Sequence, residues 1–221
     1  MKIRKYDHPF IAREGWYFIT ISIAFTLLVM LFAGLLFSLI FILITAFIIQ
    51  FFRDPQRIIP NDNNLILSPA DGKIIAVEET LDPYFNTPVR KISIFMNIFN
   101  VHSNRCPVNS EVIDLNYFPG KFINADFDKA STDNERNIMV LKLENNRKIT
   151  VVQVAGLIAR RILCYVKIQQ KLTKGQRFGF IRFGSRVDIY IPLDFETLVS
   201  IGQKVYATES VIARFIDEPN K

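Results

Sequence analysis

The chain is poor in the residues that most often announce chemistry. Only two of its 221 residues are cysteine, Cys106 and Cys164, and neither belongs to a CxxC pair. That excludes a disulfide-stapled scaffold and suits reduced thiols facing a reducing compartment. Histidine is as scarce, with His8 near the start and His102 in the middle. His102 and Cys106 stand four apart, but Pro107 and strand-like surroundings keep them off a shared helical face. With no further ligand cluster, no metal is expected. Neither a GxGxxG nor a P-loop pattern occurs, so no bound nucleotide is expected. The net charge is +6, yet no run of Lys or Arg resembles a nucleic-acid arm. A nucleic-acid partner is therefore not expected, and anionic membrane lipid is the natural counterpart of the basic balance.

Charge itself is missing from one long stretch. From Trp16 to Phe52, 37 positions hold no Lys, Arg, Asp or Glu. A signal peptide has a shorter apolar core and a small-residue cleavage site, which excludes that reading. One straight helix of this length would run roughly 55 Å, against about 30 Å of hydrocarbon. Two short spans fit better, with a turn near Ala33-Gly34 or Ser38. Lys2, Arg4, Lys5 and Arg13 precede the block, and Arg53 and Arg57 follow it. The positive-inside rule then puts both ends in the cytosol. The organisation read from this is a basic segment 1–15, an apolar membrane-associated helical hairpin 16–52, a breaker-rich linker 53–64 and a domain 65–221. The competing reading is a long helical hairpin buried in a soluble or peripheral protein.

Beyond the linker the patterns have period two or form short apolar runs. Residues 65–67, 73–77, 89–96, 138–143, 148–154, 162–168, 178–183 and 187–192 all read as strands. Turns at Asp71-Gly72, Glu144-Asn145-Asn146 and Lys174-Gly175 separate them. The polar stretch 126–136 reads as a loop or short helix. The tail 201–213 is similar to the turn-and-strand pattern of lipoyl- and biotinyl-type domains, and Ser-Pro-Ala-Asp-Gly-Lys-Ile-Ile-Ala at 68–76 to its complementary half. A mainly β fold follows, a sandwiched antiparallel barrel. No Met-Lys-Met-like lysine marks a hairpin tip, so the likeness concerns the scaffold alone.

Three segments carry the candidate chemistry. They are Ser68-Pro69-Ala70-Asp71-Gly72-Lys73, Phe95 to Arg105 with Asn100-Val101-His102-Ser103-Asn104-Arg105 at its end, and Phe183-Gly184-Ser185-Arg186. Taken singly, each has a plain structural reading: Asp-Gly and Gly-Ser are routine turns, and a lone histidine is usually a satisfied structural group. Taken together and in this order, they resemble phosphatidylserine decarboxylase proenzymes of the short, compact kind, over nearly the whole chain from about Arg53 to Arg214.

The resemblance implies that Ser185 attacks the Gly184 carbonyl, that the chain parts into residues 1–184 and 185–221, and that the new end at 185 becomes a covalent pyruvoyl cofactor. The two pieces stay together as a heterodimer. His102 would be the general base and Asp71 its orienting carboxylate, in the logic of a hydrolytic triad. The ketone would form a Schiff base with the amine of phosphatidylserine and act as an electron sink, giving phosphatidylethanolamine and CO₂ at the cytoplasmic side of the cell membrane. Arg105 and Arg182 fall beside the motifs and suit the substrate's phosphate and carboxylate. Longer members of the family carry a second histidine where Phe99 stands here, which leaves the proton donor open between His102 and water. Oligomeric state also stays open, a homo-oligomer included. Two other readings remain: a pyruvoyl decarboxylase of another amine, and a membrane-tethered, non-enzymatic β-domain.

Overall fold

The computed structural model describes residues 8–122, 125, 133–156, 161–182 and 184–216. These fall into two compact units, residues 8–56 and 57–216.

The first unit is helical. Helix α1 (Trp16–Phe51) is interrupted at Gly34, whose φ of +81° and ψ of 174° lie outside helical space. Glycine alone tolerates that conformation without strain. The two arms, 16–33 and 35–51, fold back on each other: Ser22 and Thr45 share a hydrogen bond of 2.6 Å, and the Phe25 and Phe41 rings lie edge to face at 5.1 Å. The open end is closed where the Ala12 N–H donates to the Phe52 carbonyl at 2.8 Å. The expected hairpin and its turn at Ala33-Gly34 are thus what forms.

Burial in this unit is inverted. The residues of α1 that are buried are Thr26, Ser38, Thr45 and Phe51, whereas Leu31, Phe32 and Leu36 are each nearly 80% exposed. Small polar side chains face the seam and large apolar ones face outward. That is the packing of helices in lipid, where interhelical hydrogen bonds rather than hydrophobic burial join the arms. The apolar hairpin is therefore compatible with membrane association.

The second unit is a β-domain of antiparallel pairings. An eight-stranded sheet runs in the order β13 (Lys204–Val205), β2 (Gly72–Leu81), β3 (Pro88–Met96), β11 (Ser185–Pro192), β7 (Lys148–Ala155), β6 (Arg136–Leu143), β5 (Ser110–Phe118), β9 (Lys171–Leu172). Bulges in β2 and β5 bend it, as an extra residue on one strand of a pair does. It curls into a half-barrel over two three-stranded sheets. One is β1 (Leu65–Leu67), β14 (Val211–Phe215) and β12 (Phe195–Thr197); the other is β4 (Ser103–Arg105), β10 (Arg177–Ile181) and β8 (Ile162–Cys164). The core between them takes Ile66, Ile74, Ile92, Ile94, Met139, Val151, Phe178, Val187, Ile189 and Ile212.

The two segments read as complementary halves do meet: β13 pairs with β2, and the Ser68 N–H donates to the Ser210 carbonyl at 2.8 Å. The expected turns at 144–146 and 174–175 are present, with positive φ at Asn146 and Gly175. Strand β8 is shorter than the run 162–168, and β5 is an addition to the strands read from the sequence. Most of the expected loop or helix at 126–136 lies outside the described residues; Arg136 already opens β6.

Candidate active site

One end of the large sheet gathers the three motifs. Reading across it, Ser185 on β11 lies opposite Met96 on β3 and Ala155 on β7. One register further in, Arg186 pairs with Phe95, and Phe95 with Lys73 on β2. Asp71, just ahead of β2, is therefore at the same sheet end as Ser185, with one strand between them. At the usual strand spacing the two backbones are roughly 10 Å apart.

Met96 ends β3, and the chain then turns tightly. The Asn100 side chain accepts from the Asn97 N–H at 2.9 Å, and the Asn97 side chain accepts from the Phe99 N–H at 2.9 Å. Asparagine favours such turns because its side chain mimics a backbone partner. The turn delivers His102, fully buried, to the head of β4. Its Nδ1 is 2.9 Å from the Asn100 carbonyl oxygen. A carbonyl can only accept, so Nδ1 carries the hydrogen, and in the neutral ring Nε2 is left as the basic atom. Strand β4 pairs with β10, where the Ile181 N–H donates to the His102 carbonyl, and β10 leads through Arg182 to Gly184-Ser185.

Ser185 is fully buried, and its Oγ donates to the Met96 sulfur at 3.4 Å. Gly184 before it has φ +61°, and a Cβ there would meet nothing within 4 Å. A thioether is a weak acceptor, so it orients the hydroxyl without ionising it. Behind Met96 runs a buried amide chain: Asn137 donates to Gln153 at 3.0 Å, Gln153 donates to Asn104 at 2.8 Å, and the Asn104 amide reaches the Met96 sulfur at 3.8 Å. The only sequence signal for this chain was a glutamine inside the apolar run Ile149-Thr150-Val151-Val152-Gln153-Val154.

Asp71 is buried and accepts from the Arg57 guanidinium at 2.7 Å and from the Ala207 N–H at 2.8 Å. Arg57, read from the sequence only as a flanking charge of the apolar block, also pairs with Glu209 at 2.9 Å. Arg105 is buried on β4 and donates to the Gly175 carbonyl at 3.2 Å. Arg182 is half-buried two residues before Gly184. Arg186 is fully buried, paired with Asp188 at 2.9 Å and bonded to the Ala125 carbonyl at 3.2 Å. Cys106 sits in the core, where burial pushes its thiol up to about 11, only partly offset by hydrogen bonds with Ser110 and Val108.

A family model described as phosphatidylserine decarboxylase matches residues 44–213. The chain belongs to the phosphatidylserine decarboxylase family. Among its relatives, phosphatidylserine decarboxylase proenzymes from Ralstonia nicotianae and Burkholderia ambifaria are 57% and 56% identical over 208 residues, spanning 94% of this chain and 97% of theirs. That of Burkholderia vietnamiensis is 55% identical over the same span. These proteins are named as proenzymes, and the family works with a pyruvoyl group.

Proposed function

We propose that this chain is made as a precursor that cuts itself between Gly184 and Ser185, and that the mature enzyme converts phosphatidylserine to phosphatidylethanolamine and CO₂. The observation that carries the assignment of Ser185 is its position. It is a buried serine at the head of a central strand, preceded by a left-handed glycine with open space beside it, opposite Met96, from which a tight turn runs on to His102.

Nε2 of His102 takes the hydroxyl proton of Ser185 as Oγ bonds to the Gly184 carbonyl carbon, whose π pair moves onto oxygen. The Gly184–Ser185 amide then breaks, the proton passes to its nitrogen, and an ester with a free amine remains. Loss of the Ser185 Cα proton expels the Gly184 carboxylate. One water enters and one ammonia leaves as the new end becomes a pyruvoyl group. Burial suits these steps, since a dry site protects the ester from plain hydrolysis. The residues present fit the group: Ser185 is fully buried, and among the described residues, chain neighbours apart, nothing lies within 4 Å of a Cβ placed at 184.

Once formed, the group supplies a ketone that condenses with the substrate amine and draws in the electron pair left as CO₂ departs. His102 remains the proton carrier beside it, held by the Asn100 carbonyl, with Asp71 assigned as its orienting carboxylate. Arg182 and Arg105, the cations next to the motifs, are assigned to the substrate's phosphate and carboxylate. The hairpin holds the enzyme in the cell membrane with both of its ends cytoplasmic, where its lipid substrate resides.

Ser185→Ala tests the whole reading. The variant is expected to stay one chain by denaturing gel and intact mass, and to release no CO₂ from phosphatidylserine. The native chain is expected to give a fragment 185–221 that lacks a free amine. Activity in the variant would overturn the assignment.

A further inference from the structure

Gly156 follows the last residue of β7 and faces the bond that is cut. A Cβ built on it would stand 2.1 Å from the Gly184 carbonyl oxygen and 2.9 Å from the Gly184 carbonyl carbon. No pair of non-bonded atoms tolerates 2.1 Å, and the obstructing atoms are backbone, which cannot swing aside as a side chain would. The two glycines therefore serve different needs. Gly184 needs its positive φ and has room for a methyl; Gly156 has to lack one.

The Gly156 side of the contact is also held. Ala155 pairs with Ser185, its N–H donates to the Glu135 carbonyl at 2.9 Å, and its own carbonyl accepts from the buried Asn134 side chain at 2.7 Å. Ala155 and Asn134 are both fully buried. A methyl at 156 would thus displace the Gly184 carbonyl rather than β7.

We infer that Gly156 is a positioning residue for self-processing: its bare Cα is the seat that fixes the Gly184 carbonyl for attack by Ser185 Oγ. The inference rests on the proposed cut at 184–185. Attack on a carbonyl needs a narrow approach, and displacement by about 1 Å costs on the order of 100-fold in rate.

The test compares the native chain, Gly156→Ala and Ser185→Ala, all full-length in the same detergent. Cleavage is followed by gel and mass, with and without hydroxylamine, which cuts an ester at Gly184 but not an amide. Gly156→Ala is expected to unfold at the same temperature as the uncut Ser185→Ala precursor, to process about 100-fold more slowly than the native chain, and to gain no cleavage from hydroxylamine because the ester does not form. Processing within a few-fold of native would overturn the inference. So would hydroxylamine-dependent cleavage at the native rate, which would put the block after ester formation. A Gly156→Ala chain that fails to unfold cooperatively would also overturn it, by assigning Gly156 to the fold. A native chain that never breaks at 184–185 would instead sink the proposed function.

Discussion

The hydroxyl of Ser185 rests on the sulfur of Met96, and that sulfur is approached from behind by a chain of three buried amides. The donor direction is set along it: Asn137 to Gln153 to Asn104, so the Asn104 NH₂ is the end that faces Met96. Buried amides of this kind are expensive unless each finds a partner, and here they fix Met96 and through it the Ser185 hydroxyl. Cys106 is a second residue whose burial has a measurable consequence. Its folded thiol titrates at about 11 rather than at 9.0. The folded state therefore holds a proton that the unfolded chain releases first. Stability is complete below about pH 9 and falls as pH rises toward 11, by roughly 2–3 kcal/mol at most. Urea unfolding of Ser185→Ala with and without Cys106→Ala should show this alkaline loss shrinking in the double variant. The thiol is also expected to resist iodoacetamide at neutral pH until the protein is unfolded.

Among elements, the hairpin shows which atoms join its arms. Thr45 bonds to Ser22 at 2.6 Å and to Thr26 at 3.0 Å across the seam. Thr45→Val keeps the shape and deletes the hydroxyl. It is expected to weaken arm pairing by about 0.6 kcal/mol, with ~1.7 kcal/mol as a ceiling. Unfolding in mixed micelles of rising SDS content, followed by energy transfer between labels on the two arms, reads this directly. Leu36→Val on the outward face should leave the midpoint where it was. The reverse pattern would mean that apolar contact rather than the polar seam holds the arms. Strand β11 is the second element with a clear duty. It is laddered on both sides, by β3 along all of its length and by β7 along most of it. A cut at its head would leave the pairings beyond residue 185 intact, so residues 185–221 are expected to stay with the rest after the proposed processing.

For the whole molecule, the main core cluster of the β-domain, among the described residues, is drawn from residues 66–213. The proposed self-processing and the proposed membrane attachment are then separable by truncation. A chain beginning at Arg57 keeps the Arg57–Asp71 pair and is expected to process at 184–185 as the full chain does. It is also expected to remain in the supernatant when phosphatidylserine vesicles are sedimented, whereas the full chain pellets. A truncated chain that folds but stays uncut would show that processing needs the hairpin.

The sequence alone determined what rests on local pattern. An uncharged run too long for one span dictated a hairpin, and Gly34 was readable as its turn. Period-two runs dictated most strands, Asn146 and Gly175 their turns, and the three motifs the family. Tertiary structure decided what depends on neighbours distant in sequence. Strand β5 escaped the pattern because its bulge between Val112 and Asp114 shifts the alternation, so Val112 and Leu115 face the core three residues apart. Arg186 and Asp188 alternate with Val187 and Ile189 like a solvated face, yet both are buried as an ion pair. The partners of Asp71 and the seat under Gly184 could not be read from the chain. Each is a contact between backbones or side chains that only the closing of the sheet brings within reach.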